Sequence, residues 1–140
     1  MTAEEWKKVE NILSVPYFPV KLTIDGYNIS IITVEYKALR YCYEIFVDGK
    51  FKLEWLSEDC EIRRRFCCRR TKSLLSAKQK KELKRERKKF REYVEKEMTY
   101  EWYEPFWTSF RSLKNHLIKN NTSIELAEDR NGSRTSVQDI

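Results

Sequence analysis

Glycine is scarce in this chain, with Gly26, Gly49 and Gly132 as the three glycines among 140 residues. Loops that cradle nucleotide phosphates need clustered glycines, because backbone N–H groups must approach the phosphate oxygens closely. The three glycines are far apart, so Walker-type and dinucleotide-binding chemistry are excluded. Gly26 and Gly49 each follow an aspartate, a pair that favours tight hairpin turns.

Long apolar runs are also missing. No stretch approaches the ~20 apolar residues that a membrane-spanning helix needs, so we expect no membrane partner. The first six residues, Met-Thr-Ala-Glu-Glu-Trp, lack the basic and apolar regions of a secretory signal. We therefore expect a cytoplasmic protein whose cysteines are reduced.

Metal ligands are few and badly spaced. The chain has one histidine, His116, and four cysteines without a C-x-x-C pair: Cys42, Cys60, Cys67 and Cys68. Structural zinc sites use paired ligands at regular spacing, so we predict buried cysteines, no metal and no cofactor. Neighbouring arginines would lower the thiol pKa values, which leaves reactivity toward oxidants open.

Acidic residues are nearly absent from residues 63–91. This segment holds 15 of the 28 Lys and Arg but only Glu82 and Glu86 of the 22 acids. Residues 1–62 sum to −4 and residues 92–140 to −3. Because clustered cations repel one another, such a segment is typical of proteins with a polyanionic partner. A solvated surface helix is the alternative, but such helices normally mix charges of both signs.

The patterns predict an α+β fold in a single domain over residues 1–126, followed by a disordered polar tail over 127–140. A capping box at Thr2 and Glu5 begins an N-terminal helix. Residues 20–55 indicate a four-stranded antiparallel meander. Its first hairpin, at Asp25-Gly26, pairs Leu22 with Ile29 and Val20 with Ile31. Its second is expected to use a three-residue loop, with pairs Ile45–Phe51, Tyr43–Leu53 and Tyr41–Trp55.

Two or three C-terminal helices follow in the prediction, including a long basic one. Ser57 would cap a helix running through Leu75, and Ser76 a second helix from Ala77 to about Met98. Pro105 would open the last helix. Its apolar side would pack on the sheet and consist of Phe106, Phe110, Leu113, Leu117 and Ile118.

The basic element is the predicted nucleic-acid or nucleoprotein contact. Arginine forks suit phosphate because they make two parallel charge-assisted hydrogen bonds. The principal contacts are predicted to be Arg63, Arg64, Arg65, Arg69 and Arg70. Weaker electrostatic support would come from Lys80, Lys81, Lys84, Arg85, Lys88 and Lys89. The pattern does not distinguish DNA from RNA.

Aromatic residues crowd the segment from Tyr93 to Phe110. Most such side chains fill a core, but those at a rim can stack bases or anchor a protein interface. Trp102 and Tyr103 are the predicted interface aromatics.

Two alternatives stay open on the residues themselves. Asp25 and Glu35-Tyr36-Lys37 formally match the pattern of metal-dependent nucleases, in which two carboxylates hold Mg²⁺. Asp25 is explained more simply by its turn, so no catalytic residue is expected. The other alternative is a protein–protein inhibitor that docks the basic element onto an acidic protein face.

The segment Tyr103-Glu-Pro-Phe-Trp-Thr-Ser-Phe-Arg-Ser-Leu-Lys-Asn-His-Leu-Ile-Lys-Asn-Asn, with Ser123-Ile-Glu-Leu, resembles the C-terminal part of small phage and mobile-element proteins of Gram-positive bacteria. The resemblance covers about a fifth of the chain and transfers no functional residue. It implies a non-enzymatic protein in a bacterial host cell. Such proteins include DNA-binding regulators, replication accessory proteins and anti-CRISPR inhibitors, whose partner would be a Cas effector with its guide RNA.

Overall fold

The computed structural model describes residues 1–127. It confirms an α+β protein with an N-terminal helix, antiparallel strands and C-terminal helices. The elements are α1 (Ala3–Leu13), β1 (Val20–Ile24), β2 (Tyr27–Lys37), β3 (Arg40–Val47), α2 (Glu54–Ser57), α3 (Glu61–Phe66), β4 (Cys68–Ser73), α4 (Ala77–Leu83), α5 (Lys88–Glu97), β5 (Thr99–Glu104), β6 (Phe106–Trp107), α6 (Phe110–Asn120) and β7 (Ile124–Leu126). No helix in the described part is long and apolar enough to cross a membrane.

The described residues form two compact units. The larger unit comprises Met1–Cys68 and the chain from Pro105 onward, and the smaller unit comprises Arg69–Glu104. The single domain over residues 1–126 stays a prediction. Of the predicted tail, residues 127–140, all but Ala127 lie outside the described residues.

The larger unit is built on a five-stranded antiparallel sheet in the order β6-β3-β2-β1-β7. The first hairpin has the predicted register, since Val20 faces Ile31 and Leu22 faces Ile29. Alternate residues of a strand point to one face, and here they supply the buried core. In α1 the predicted capping box of Thr2 and Glu5 is present.

The prediction of a four-stranded meander is wrong. Three sequential strands, β1 to β3, pair with one another, and the chain then leaves the sheet. Val47 bridges to Lys50, so the turn at Asp48-Gly49 has two residues. Both have positive φ, 52° and 77°, as a tight hairpin turn requires. The predicted pairs of Ile45–Phe51, Tyr43–Leu53 and Tyr41–Trp55 therefore do not form. Trp55 is instead buried on the short helix α2. The outer strands of the sheet are β6 and β7 from the C-terminal part.

The prediction of a long basic helix is also wrong. The helix predicted to run through Leu75 ends at Phe66, and the chain continues as β4, which pairs with β5 in a separate two-stranded sheet. In one helix Arg65 and Arg69 would repel at i,i+4 spacing. In the strand pair, Arg69 meets Glu101 and Arg70 meets Glu104, and cross-strand opposite charges stabilise a sheet.

The second predicted helix begins where expected but is divided. Ser76 forms a capping box with Gln79 at the start of α4. The helix ends at Leu83, and α5 begins at Lys88 after Arg87, whose backbone is extended. Among Arg69–Glu104, Leu83 is the one buried hydrophobic side chain, and it is still 8% exposed. The smaller unit therefore has little core of its own.

The last helix begins later than predicted. Phe106 and Trp107 form the short strand β6, which pairs with Glu44 and Tyr43, and α6 starts at Phe110 after the cap Ser109. Leu113 and Leu117 are buried as predicted, whereas Ile118 is exposed. The aromatic ring of Phe110 packs edge-on against Tyr43 of β3 and Trp6 of α1.

Candidate nucleic-acid interface

The positive charge of the described chain is concentrated in the smaller unit. Residues 69–104 carry 13 Lys and Arg against 7 acids. The described residues of the larger unit, 1–68 and 105–127, carry 13 against 12. A polyanion would therefore be attracted by the smaller unit.

The predicted principal arginines are divided between the units. Arg63, Arg64 and Arg65 lie on α3 of the larger unit, whereas Arg69 and Arg70 lie on β4 of the smaller unit. They do not form one strip on a helix, which was the geometry that the sequence pattern predicted.

Arg65 is the centre of an internal ion-pair network. Its Nη1 donates to Asp25 Oδ2 at 2.5 Å and to Asn121 Oδ1 at 2.8 Å, and its Nη2 donates to Glu61 Oε1 at 2.8 Å. Tyr27 Oη donates to the second oxygen of Glu61. The hydrogen bonds to Asp25 and Glu61 raise the pKa of Arg65. The donors of this guanidinium are therefore used in hydrogen bonds within the protein, and Arg65 stabilises the fold.

Three further arginines have carboxylate partners. Arg64 Nη1 lies 2.9 Å from Asp59 Oδ2 in an exposed pair. Arg69 Nε lies 2.6 Å from Glu101 Oε2, and Arg70 Nε lies 2.7 Å from Glu104 Oε1. Together with Arg65, four of the five arginines predicted to be the main phosphate contacts therefore have carboxylate partners within the protein.

The helix that carries Arg63 is part of the core. Phe66 is the largest fully buried side chain of the described residues, and its carbonyl accepts a 3.0 Å hydrogen bond from Trp107 Nε1. His116 Nε2 lies 3.0 Å from the carbonyl oxygen of Arg64. Because a carbonyl oxygen accepts, Nε2–H of His116 donates this bond, and burial lowers the pKa of the ring. The role of α3 is therefore structural.

Asp25 gives this network a pH dependence. Backbone N–H groups of Thr122 and Ser123 donate to its carboxylate at 2.8 and 2.7 Å, and these bonds, with Arg65, lower its pKa. A group whose folded pKa is lowered stabilises the fold above its unfolded pKa, and this contribution is lost as the pH falls through the folded pKa.

We therefore expect Asp25→Asn to lower the free energy of unfolding at neutral pH. The difference from wild type should shrink below about pH 4 and vanish once the wild-type carboxyl is protonated. Urea unfolding at a series of pH values measures it. Asp59→Asn is the matched control, because its ion pair is exposed and contributes little. A difference that stays constant down to the acid limit would contradict this role.

The weaker predicted contacts lie on an exposed cationic surface of the smaller unit. We call residues 78–91 the basic segment; it spans α4, the turn that follows and the start of α5. Nine Lys and Arg lie in it, and all except the half-buried Arg91 are exposed. Among these described residues, one cation is in an ion pair, Lys88 with Glu92 at 4.0 Å. Lys80, Lys81, Lys84, Arg85 and Lys89 are exposed, and none of them pairs with a carboxylate of residues 1–127.

Aromatic rings are exposed in the same unit. Trp102 is 37% exposed and Tyr100 is 45% exposed, whereas Tyr103 is half-buried. Trp102 is accessible and Tyr103 is less so, and their role as interface aromatics stays a prediction. Tyr100 was not among the predicted interface aromatics. Strand alternation would have identified it, because Tyr100 lies two residues from Trp102. Phe90 and Tyr93 of α5 are also exposed.

The cysteines are placed as small buried residues. Cys42, Cys67 and Cys68 are buried, and Cys60 is partly accessible. Burial raises the pKa of Cys67 to about 11, which outweighs the opposite effect of Arg63. The expectation that arginines lower the thiol pKa is wrong for this residue. No cluster of three or more His, Cys, Asp or Glu in residues 1–127 is arranged to hold a metal ion.

The residues of the nuclease pattern are held apart. Asp25 lies at the turn between β1 and β2, and Glu35 lies near the other end of β2. Eight residues of strand separate Tyr27 from Glu35, about 27 Å at the usual rise. Glu35 instead accepts a hydrogen bond from the backbone N–H of Leu39. The two carboxylates cannot share a metal ion in this arrangement.

Comparison with protein-family models, with curated proteins and with solved structures finds no match for this chain.

Proposed function

We propose that this protein binds nucleic acid, free or within a nucleoprotein, through the basic segment. The observation that carries the proposal is the exposure of eight cations in residues 78–91 with one ion pair among them. Like charges held this close repel one another. A phosphate backbone removes that repulsion and gains counterion entropy.

The proposal changes the roles within the predicted site. Arg64, Arg65, Arg69 and Arg70 are paired with carboxylates of the protein itself, and the part-buried pair of Arg65 with Asp25 stabilises the fold. The exposed cations of the basic segment, most of them lysines, make the intermolecular contacts. Lysine acts as a mobile point charge without the planar fork of arginine, so this surface suits contact with the sugar–phosphate backbone and carries little base-sequence information.

The biological setting follows as part of the proposal. A non-enzymatic phage or mobile-element protein with this surface would act on a nucleoprotein, such as a guide-RNA-loaded Cas effector, and inhibit it. A DNA-binding regulator or a replication accessory protein would use the same contacts. Exposed Phe90 and Tyr93 on α5 favour a second candidate, a protein–protein inhibitor, because aromatic side chains beside a charged surface are common interface anchors.

A gel-shift series tests the proposal with DNA, RNA and a guide-loaded effector at two salt concentrations. If about six phosphates are neutralised, affinity for free nucleic acid should fall about 10³-fold between about 50 and 200 mM salt. A complex with the effector alone would favour the protein–protein inhibitor. The absence of any complex with nucleic acid at the lower salt concentration would overturn direct binding.

A further inference from the structure

The two-stranded sheet of the smaller unit presents a pair of stacked aromatic rings to solvent. Tyr100 and Trp102 are two residues apart on β5, so they share one face of the strand. Their ring centroids are 5.3 Å apart, and the ring planes are inclined by 28°. Their exposed fractions of 45% and 37% show that solvent reaches both rings.

Cations lie on the same face of this sheet. Glu104 shares the face of Tyr100 and Trp102 by strand alternation. Arg70 reaches Glu104 with a 2.7 Å contact, so its side chain lies on that face too. Lys72 follows Arg70 by two residues on β4 and is exposed. The face therefore combines two accessible rings with an ammonium group.

The opposite face of β5 has a different character. Glu101 lies there between the two aromatic residues in sequence, and its carboxylate is paired with Arg69 at 2.6 Å. Tyr103 shares this face by strand alternation and is half-buried. The two exposed rings of β5, those of Tyr100 and Trp102, therefore lie together on the other face.

Stacked rings beside cations suit unpaired bases. In a duplex the faces of the bases are covered by neighbouring pairs, whereas a single strand can splay its bases onto aromatic side chains. Such stacking is independent of base identity, because every base has a π face. The backbone of the strand remains available to the cations of the basic segment, which belongs to the same compact unit.

We propose that the face of the β4–β5 sheet carrying Tyr100 and Trp102 stacks unpaired bases, so that the ligand is single-stranded nucleic acid. This inference rests on the proposed function, in which the basic segment attracts the phosphate backbone. It specifies the class of ligand: single strands are expected to bind more tightly than duplexes of the same length at the same salt concentration.

Trp102 allows a direct test by fluorescence. The other tryptophans, Trp6, Trp55 and Trp107, are buried, so quenching by added oligonucleotide reports mainly on Trp102. The probes are a short oligothymidylate, an oligouridylate and a DNA duplex of equal length. We expect both single strands to quench the emission as they bind. Trp102→Ala should weaken single-strand binding roughly 5- to 150-fold and leave duplex binding unchanged. Binding by the Trp102 variants is measured by the fluorescence anisotropy of the same probes carrying a label.

Two further variants keep the test decisive. Trp102→Phe should retain single-strand binding while the quenching disappears, which excludes a loss of folding as the cause. Tyr41→Ala is the matched control, because Tyr41 is an exposed strand tyrosine of the larger unit and its loss should change nothing.

The failure of this inference is distinguishable from failure of the proposed function. If Trp102→Ala weakens neither probe, or weakens both equally, the stacking face is disproved while binding through the basic segment stands. If quenching persists in Trp102→Phe, the signal does not come from the proposed face and the inference is again overturned. If wild-type protein binds no oligonucleotide at low salt, both proposals fall.

Discussion

Neutralising six exposed cations of the basic segment is expected to weaken nucleic-acid binding at least about 10³-fold near physiological salt. Each is changed to glutamine: Lys80, Lys81, Lys84, Arg85, Lys88 and Lys89. Five of these side chains have no carboxylate partner in residues 1–127, and the pair of Lys88 with Glu92 is long and exposed. Their removal should therefore not destabilise the fold, and it relieves repulsion within the segment.

A second six-site glutamine variant separates location from net charge. It changes exposed cations of the larger unit: Lys7, Lys8, Lys21, Lys37, Arg40 and Lys50. Both variants lose the same formal charge, so a general electrostatic effect would weaken binding equally in the two. We expect the second variant to lose much less affinity, as measured by fluorescence anisotropy with a labelled oligonucleotide. Equal losses would contradict a localised site.

Phe66→Ala is expected to lower the free energy of unfolding by about 3–5 kcal/mol. Phe66 is 1% exposed, packs edge-on against Tyr27, and belongs to the arginine-rich helix α3. Truncation would leave a cavity beneath that helix. Urea unfolding followed by tryptophan fluorescence measures the loss.

Phe18→Ala serves as the control for this truncation, since Phe18 is about half exposed in the same unit. Its loss should cost about 1 kcal/mol at most. If the two variants were equally stable, α3 would not be the core element described above, and the structural role assigned to its arginines would lose its basis.

The strand register of the first hairpin and the caps of α1 and α4 could be predicted because they depend on neighbours in sequence. Asp25-Gly26 sets the turn that pairs Leu22 with Ile29, and the capping boxes at Thr2 and Ser76 join residues three apart. Such local signals are read directly from the chain.

Long-range pairing could not be predicted in the same way. Residues 68–73 have a helical charge pattern by themselves, and they become a strand because β5, with Glu101 and Glu104, lies about thirty residues further along the chain and supplies the opposite charges. The outer strands β6 and β7 are likewise short segments defined by their partners. Tertiary context decided these elements over local propensity.

In the candidate site, too, the local pattern could be predicted and the long-range contacts could not. Composition correctly indicates a dense cationic stretch, but composition does not reveal which cations have internal partners. Arg65 meets Asp25, forty residues away in sequence, only in the folded chain. Within residues 1–127, the lysines of the basic segment form one ion pair, the long and exposed contact of Lys88 with Glu92, which is why their exposure agrees with the charge pattern.

The salt dependence of binding, compared between wild type and the two six-site variants, tests the central claim most directly. For a single strand, each phosphate contact contributes about 0.7 to the slope of log K against log salt. The variant of the basic segment should thus lose about four units of slope, while the variant of the larger unit keeps the wild-type value. A wild-type slope near zero, or an unchanged slope after neutralising residues 80–89, would contradict the account.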